Sequence, residues 1–158
     1  MPTLTVYERS IIYKYSEDGY EYVNETLRKS SGASITEFGK VLNSSLSKLE
    51  NYEGLVFRGV ELNPSELQQY IDAMAKNEVI VENAFISATK SQLTAFSFGR
   101  NARFIIYSKT GKEIEKIAKF GKHHPQNEKE VLFKSGRSFT VLDVTKEQNY
   151  TLITMEEL

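Results

Sequence analysis

The chain has 158 residues, enough for one domain with a real core, and its 40% hydrophobic and 26% charged residues are ordinary for a soluble globular protein. A net charge of −1, from 20 Lys and Arg against 21 Asp and Glu, gives no global basic excess pointing to a nucleic-acid or membrane partner. With no Cys in the chain, disulfides, thiolate metal sites and a Cys nucleophile are excluded. His123 and His124 are adjacent, without the helical spacing of a paired metal site, and read as a solvated loop pair. No apolar run approaches the roughly 18 residues of a membrane-spanning helix, and Met1-Pro2-Thr3-Leu4-Thr5 lacks a secretory core. Delivery to another cell would need other machinery or a further part of a longer chain.

The first third reads helical. Thr3 is placed to cap a helix to about Tyr15, which Ser16-Glu17-Asp18-Gly19 breaks. Tyr20 to Lys29 continues with Tyr20, Val23 and Leu27 on one stripe, and Ser30-Ser31-Gly32 stops it. Ser34 with Glu37 forms a capping-box pattern before a helix carrying Phe38, Val41, Leu42, Leu46 and Leu49 at helical spacing. The pattern then changes. Gly54 to Val60 is a buried strand, and Asn63-Pro64 starts a helix ending near Lys76-Asn77. Val79 to Ser87 is a second strand region, and Ser91 to Phe98 a short helix closed by Gly99. Ala102 to Tyr107 is a strong strand, with a turn at Thr110-Gly111. Lys112 to Lys119 fits helix or strand, and Phe120 to Gln126 a loop. Val131 to Phe133, Ser138 to Val144 and Tyr150 to Met155 are strands. A helical front before many short strands argues for an α+β domain.

Chemistry is concentrated in Asn127-Glu128-Lys129-Glu130-Val131-Leu132-Phe133. On an extended strand Glu128 and Glu130 would share one face, roughly 6.5–7 Å apart, with Val131 and Phe133 turned into a core. Paired acids on a cleft wall suit a glycosidic carbon: one stabilises a cationic sugar, the other moves a proton. Alone, the pair reads more readily as the edge of a solvated strand, since a Glu-x-Glu is frequent. Two further features precede it: Phe57-Arg58-Gly59 on a strand, and Phe85-Ile86-Ser87-Ala88-Thr89 at a strand end.

In that order the three resemble the Arg-Ser-Glu class of mono-ADP-ribosyltransferases, the class of many bacterial toxins and of arginine-modifying ecto-enzymes. The resemblance extends over most of the chain. Tyr20-Glu21-Tyr22-Val23-Asn24-Glu25-Thr26-Leu27-Arg28 looks like the family's early helix. Gly111-Lys112-Glu113-Ile114, Glu128 to Phe133, and Gly136-Arg137-Ser138-Phe139-Thr140-Val141 look like its C-terminal half. The resemblance implies an α+β fold in which N-terminal helices (1–50) pack on a β-rich core (51–158). That core is two small, mainly antiparallel sheets forming an NAD cleft, and the whole is one catalytic domain.

It also implies roles. Arg58 would bind the phosphate and ribose region of NAD, for which a planar guanidinium fork is suited. Ser87 would hold Glu130, and Glu130 would be the catalytic carboxylate facing the oxocarbenium-like ribose. Glu128 would orient and deprotonate the acceptor, because Glu at that place goes with arginine acceptors in the family. Gly59, Thr89, Phe96 and Phe98 would join Arg58, Ser87 and Glu130 in binding NAD, and Phe120 would contact the acceptor. The family's Ser-Thr-Ser is Ser87-Ala88-Thr89 here, so a role for the middle hydroxyl is in doubt. NAD enters as substrate and no metal is implied.

The expected partners are NAD and a protein with a target arginine, an immunity protein if the chain is a toxin, and no membrane; nothing supports nucleic acid. The expected setting is the cytoplasm of the producing cell or, for a delivered effector, of the target cell. Two alternatives stay open: an enzyme of the same fold that mainly hydrolyses NAD or modifies another acceptor such as RNA, and a non-catalytic binding module.

Overall fold

A computed structural model describes residues 3–119, 121 and 127–158. Helix α1 (Val6–Lys14) starts at Thr5 rather than Thr3. The Thr5 hydroxyl accepts from Glu8 N at 3.1 Å, and Glu8 Oε1 accepts from Thr5 N at 2.9 Å, a reciprocal cap that Thr3 has no partner to form. Ser16 to Gly19 does not break the helix. Tyr15–Gly19 forms a π-helical turn leading directly into α2 (Tyr20–Lys29), with Lys14 Nζ 2.9 Å from Asp18 Oδ1 across it. Gly19 suits the turn because a Cβ there would lie 3.0 Å from the Phe38 ring. Helix α3 (Glu37–Leu46) is capped by Thr36, whose hydroxyl accepts from Gly39 N at 3.0 Å; Ser34, the expected cap, bonds back to Ser30 instead.

The strands β1 (Asn51–Val60), β2 (Val79–Glu82), β3 (Ile86–Thr89), β4 (Ala102–Glu113), β5 (Glu130–Phe133), β6 (Arg137–Lys146) and β7 (Thr151–Glu157) alternate with α4 (Pro64–Lys76) and α5 (Gln92–Phe96). Strand β4 pairs antiparallel with β1, from Val60↔Ala102 to Asn51↔Lys112, and parallel with β7 on its other side; β6 and β2 continue the layer. Strands β3 and β5 form a short second layer. It is joined at its corners to β1, through Phe57↔Thr89, and to β4, through Lys112↔Leu132 and Glu113↔Val131. The two expected sheets are thus one seven-stranded mixed network with a fold between its layers.

Three sequence expectations change for local reasons. Thr110-Gly111 is not a turn. Strand β4 runs through it because β1 stays paired opposite, and Gly111 fits where a Cβ would come within 2.7 Å of Val131. The region Val79–Ser87 is two strands at different places in the sheet, divided at Asn83 to Phe85. In Lys112–Lys119 the chain is neither a helix nor a full strand: β4 ends at Glu113, and turns follow with Ile114 buried. The expected loop from Phe120 to Gln126, with the His pair, falls outside the described residues except for Gly121.

Two cores flank β5. Val131 and Phe133 join the cluster of Val56, Phe104, Phe139 and Ile153 beneath α4. Leu132 points the other way, into Ile12, Tyr15, Val23, Leu27, Leu42 and Leu46 of the helical layer. All four residues of β5 are buried, so it holds the helices and the sheet to one another. We predict that Leu132→Ala destabilises the protein by about 2–5 kcal/mol, the usual result of truncating a fully buried leucine. Urea unfolding measures this, and a loss under about 1 kcal/mol would contradict the packing.

Candidate functional site

Pairing of β3 with β5 sets the centre of the site. Thr89 lies opposite Glu130 and Ser87 opposite Leu132, so Ser87 and Glu130 are diagonal neighbours on one face. Ser87 Oγ donates to Glu130 Oε2 at 2.5 Å. On the adjoining β1, Arg58 reaches the same place and donates from Nη1 to the Ser87 carbonyl at 3.0 Å. Arg58, Ser87, Glu128 and Glu130 line two adjoining lobes of one cleft, of about 730 and 590 Å3. These are sizes usual for small-molecule sites.

Glu128 and Glu130 do meet, though not by the alternation of a strand. Strand β5 begins at Glu130, and Lys129 has φ 47°, in the left-handed region. The chain therefore turns at Lys129, leaving Glu130 buried and Glu128 exposed at the cleft rim. Thr89 sits under this turn, where its hydroxyl donates to the Glu128 carbonyl at 2.6 Å and accepts from Ser91 N at 3.0 Å.

The other anticipated residues divide. Gly59, Thr89 and Phe98 line the smaller lobe, and Phe98 is 74% exposed there. Gly59 permits close approach of the α5 segment, since a Cβ would lie 2.2 Å from the Ala95 carbonyl oxygen. Phe96 lines neither lobe. It packs edge-on against Phe57, ring centroids 5.9 Å apart, with the Arg103 guanidinium 5.3 Å from its ring. Phe120 lies outside the described residues. Among the described residues no three His, Asp or Glu side chains gather as metal ligands.

The larger lobe adds residues that the motifs did not single out. Tyr15, Asn24 and Arg28 line it from the π-helical turn and α2. Asn24 donates from Nδ2 to Tyr15 Oη at 3.1 Å and accepts from Phe85 N at 2.9 Å, tying the helices to the strand that carries Ser87. Asn24 and Arg28 fall inside the helix that resembles the family's. Tyr15 had no signal of its own, because its place depends on the extra residue in the π-helical turn.

Electrostatics single out three groups of the cleft. Burial pushes the Glu130 carboxyl up to about 7; the Ser87 hydrogen bond opposes this, and nearby Glu128 adds to it. Burial pulls the Arg58 guanidinium below its ordinary value, against the influence of Glu82 and Tyr70, and it stays cationic. Burial likewise pushes the Tyr15 phenol up to about 12, with Asn24 opposing and Glu130 adding to the rise. An acid raised toward neutrality in a cleft, one hydrogen bond from a serine and beside a half-buried cation, marks a candidate reaction centre.

The fold and this cleft define a class, and comparison with known proteins agrees. The chain belongs to the ADP-ribosyltransferase exoenzyme family, whose model matches residues 2–158. It is 34% identical over 149 residues to Mav of Mycobacterium avium (strain 104), and 26% identical over 168 residues to Vis of Vibrio splendidus (strain 12B01). Both relatives are provisionally named NAD(+)–arginine ADP-ribosyltransferases. The matches take in 90% and 97% of this chain but only 17% and 65% of the relatives' own lengths. Among solved structures, the type III effector XopAI of Xanthomonas axonopodis pv. citri superposes with a TM-score of 0.81 at 23% identity, covering 98% of this chain and 68% of that one. Vis superposes at 0.77 and 24% identity, covering 98% and 75%. At these identities the likeness to solved structures is one of fold.

The raised Glu130 value has a stability consequence. Between the unfolded value of 4.5 and about 7, the folded protein keeps a proton that the unfolded chain releases. That stabilisation is complete below about 4.5 and is lost as pH rises through about 7. We predict that the stability of the wild type relative to Glu130→Gln falls across this window and is flat above it. Urea unfolding at stepped pH checks this; a gap unchanged from pH 4.5 to 7 would contradict the buried placement.

Proposed function

We propose that the protein transfers ADP-ribose from NAD to the guanidinium of a protein arginine and releases nicotinamide. The observation that carries this reading is the convergence of Arg58, Ser87, Glu130 and Glu128 on one cleft whose two lobes meet at those residues. A dinucleotide has two halves to place, and a two-lobed cleft with a half-buried cation at the junction suits it. Family membership and the names of Mav and Vis support the activity. The Vis structure in complex with agmatine, a guanidino compound, supports the acceptor class. XopAI, a type III effector of like fold, supports a bacterial effector acting inside a target cell. No helix of the described residues is long and apolar enough to cross a membrane.

In this reading Arg58 fixes the phosphate and ribose region through its planar donors. Glu130, ionised and held by Ser87, faces the ribose carbon that bears nicotinamide. When the bond from that carbon to the pyridinium nitrogen breaks, its electron pair goes to nitrogen and neutral nicotinamide leaves. Positive charge grows on the ribose beside the Glu130 anion, which stabilises it more in the transition state than in the ground state. Burial of Glu130 strengthens that effect, because little water screens it. The acceptor guanidinium is a poor nucleophile while fully protonated. Glu128, on the exposed rim, orients it and takes its proton as the new nitrogen–carbon bond forms.

Two outcomes test the assignment. Arg58→Lys should raise the Kd for NAD by about tenfold or more, since an ammonium cannot replace the bidentate fork. Unchanged affinity by calorimetry in a folded variant would remove Arg58 from the site. Glu130→Gln should abolish both NAD hydrolysis and transfer to agmatine, while Glu128→Gln should lose transfer and keep much of the hydrolysis. Nicotinamide release measured with and without agmatine decides this. Substantial hydrolysis in Glu130→Gln, or equal loss of both activities in Glu128→Gln, would contradict it.

A further inference from the structure

Glu128 takes its direction from a turn held from outside the cleft. Lys129 has φ 47°, a left-handed conformation that costs a residue with a Cβ backbone energy, and it persists only when its surroundings over-determine it. Four bonds do so. Lys129 N donates to Asn127 Oδ1 at 2.9 Å, and Lys90 N donates to the Lys129 carbonyl at 3.1 Å. The Thr89 hydroxyl holds the Glu128 carbonyl, and Ile114 N donates to the Glu130 carbonyl at 3.1 Å. The Asn127 bond fixes the turn only if its amide is itself oriented. That orientation comes from Glu115, just past the end of β4, whose Oε2 accepts from Asn127 Nδ2 at 3.1 Å. Glu115 is fixed in turn by Lys90, with Nζ 2.9 Å from Oε1; Lys90 also lies 3.4 Å from Glu113. The Lys90 and Glu115 side chains are only 24% and 20% exposed, so the pair is largely shielded from water.

We propose that Glu115 is a positioning residue for the transfer step, acting through Asn127 on the turn that aims Glu128. It rests on the reading of Glu128 as the group that orients and deprotonates the acceptor. Glu115 lines neither lobe of the cleft, while Asn127 and Glu128 line the smaller one. The chain Lys90–Glu115–Asn127–Lys129 thus ties the ends of β3 and β4 to the segment before β5. The Ser87–Glu130 hydrogen bond is not part of it and is held separately by β3–β5 pairing. Glu115 therefore bears on transfer and not on breaking the nicotinamide bond. The hydrogen bond matters more than the charge, because the Asn127 amide needs an acceptor oxygen in that place.

The test compares Glu115→Ala, Glu115→Gln and Glu128→Gln, with nicotinamide release measured alone and with agmatine as acceptor. Glu115→Ala should keep NAD hydrolysis within about twofold and lose about 10- to 100-fold in transfer, the usual effect of misplacing a catalytic group by about 1 Å. Glu115→Gln, which keeps one acceptor oxygen for the two donors Lys90 Nζ and Asn127 Nδ2, should recover part of the transfer. Retained hydrolysis serves as the fold check. If Glu128→Gln loses transfer selectively but Glu115→Ala keeps it, or loses hydrolysis in proportion, the positioning role is overturned and the reading of Glu128 stands. The role is also overturned if Glu115→Gln is as impaired as Glu115→Ala. If Glu128→Gln loses both activities together, the reading of Glu128 fails, and the role of Glu115 fails with it.

Discussion

A carboxylate buried at the start of a sheet strand, one short hydrogen bond from a serine, is the constraint on which the rest of the structure depends. Glu130 is only 8% exposed, and burial alone would keep it protonated well above the usual carboxylate range. The Ser87 hydroxyl at 2.5 Å opposes that rise and fixes which way the carboxyl faces. The pair requires β3 beside β5 in one register, and a one-residue slip would turn Ser87 or Glu130 to the opposite face. Leu132 on one face of β5, with Val131 and Phe133 on the other, locks that register between two cores. The apolar residues that make the fold therefore also set the geometry of the polar pair.

Burial has a cost and a use in the same group. A desolvated acid near neutrality weakens the folded state as it ionises, yet an anion in a place of low dielectric interacts more strongly with positive charge opposite it. Arg58 shows the same pattern with the other sign. Half-buried, its guanidinium donates to the Ser87 carbonyl, and Glu82 and Tyr70 help to keep it charged. A buried anion and a half-buried cation thus face one cleft, each held by backbone or hydroxyl groups rather than by the other.

The sequence disclosed the identity of these side chains more fully than the means of bringing them together. Apolar alternation at Val131 and Phe133, and the helical stripes at Val23 and Leu27, report burial directly, because burial is a property of residue type and period. Glu128 and Glu130 were legible as a pair, but not the left-handed Lys129 between them, since a lysine carries no signal for positive φ. The helix cap moved from Thr3 to Thr5 because only Thr5 has a glutamate three residues on. Tyr15 and Glu115 carried no local signal, because the place of Tyr15 depends on the π-helical turn and Glu115 acts through Asn127; Asn24 lay in the family-like helix, but its bond to the distant Phe85 amide had no local pattern.

The central claim is that NAD lies across both lobes with its reactive ribose carbon at Glu130. A crystal structure of Glu130→Gln with NAD bound tests it most directly, since that substitution keeps the shape of the site while removing the charge. The account predicts the dinucleotide spanning the two lobes, its phosphate and ribose region against Arg58, and the carbon bearing nicotinamide facing the side chain at position 130. NAD bound outside the cleft, or bound within it with that carbon remote from position 130, would contradict the account.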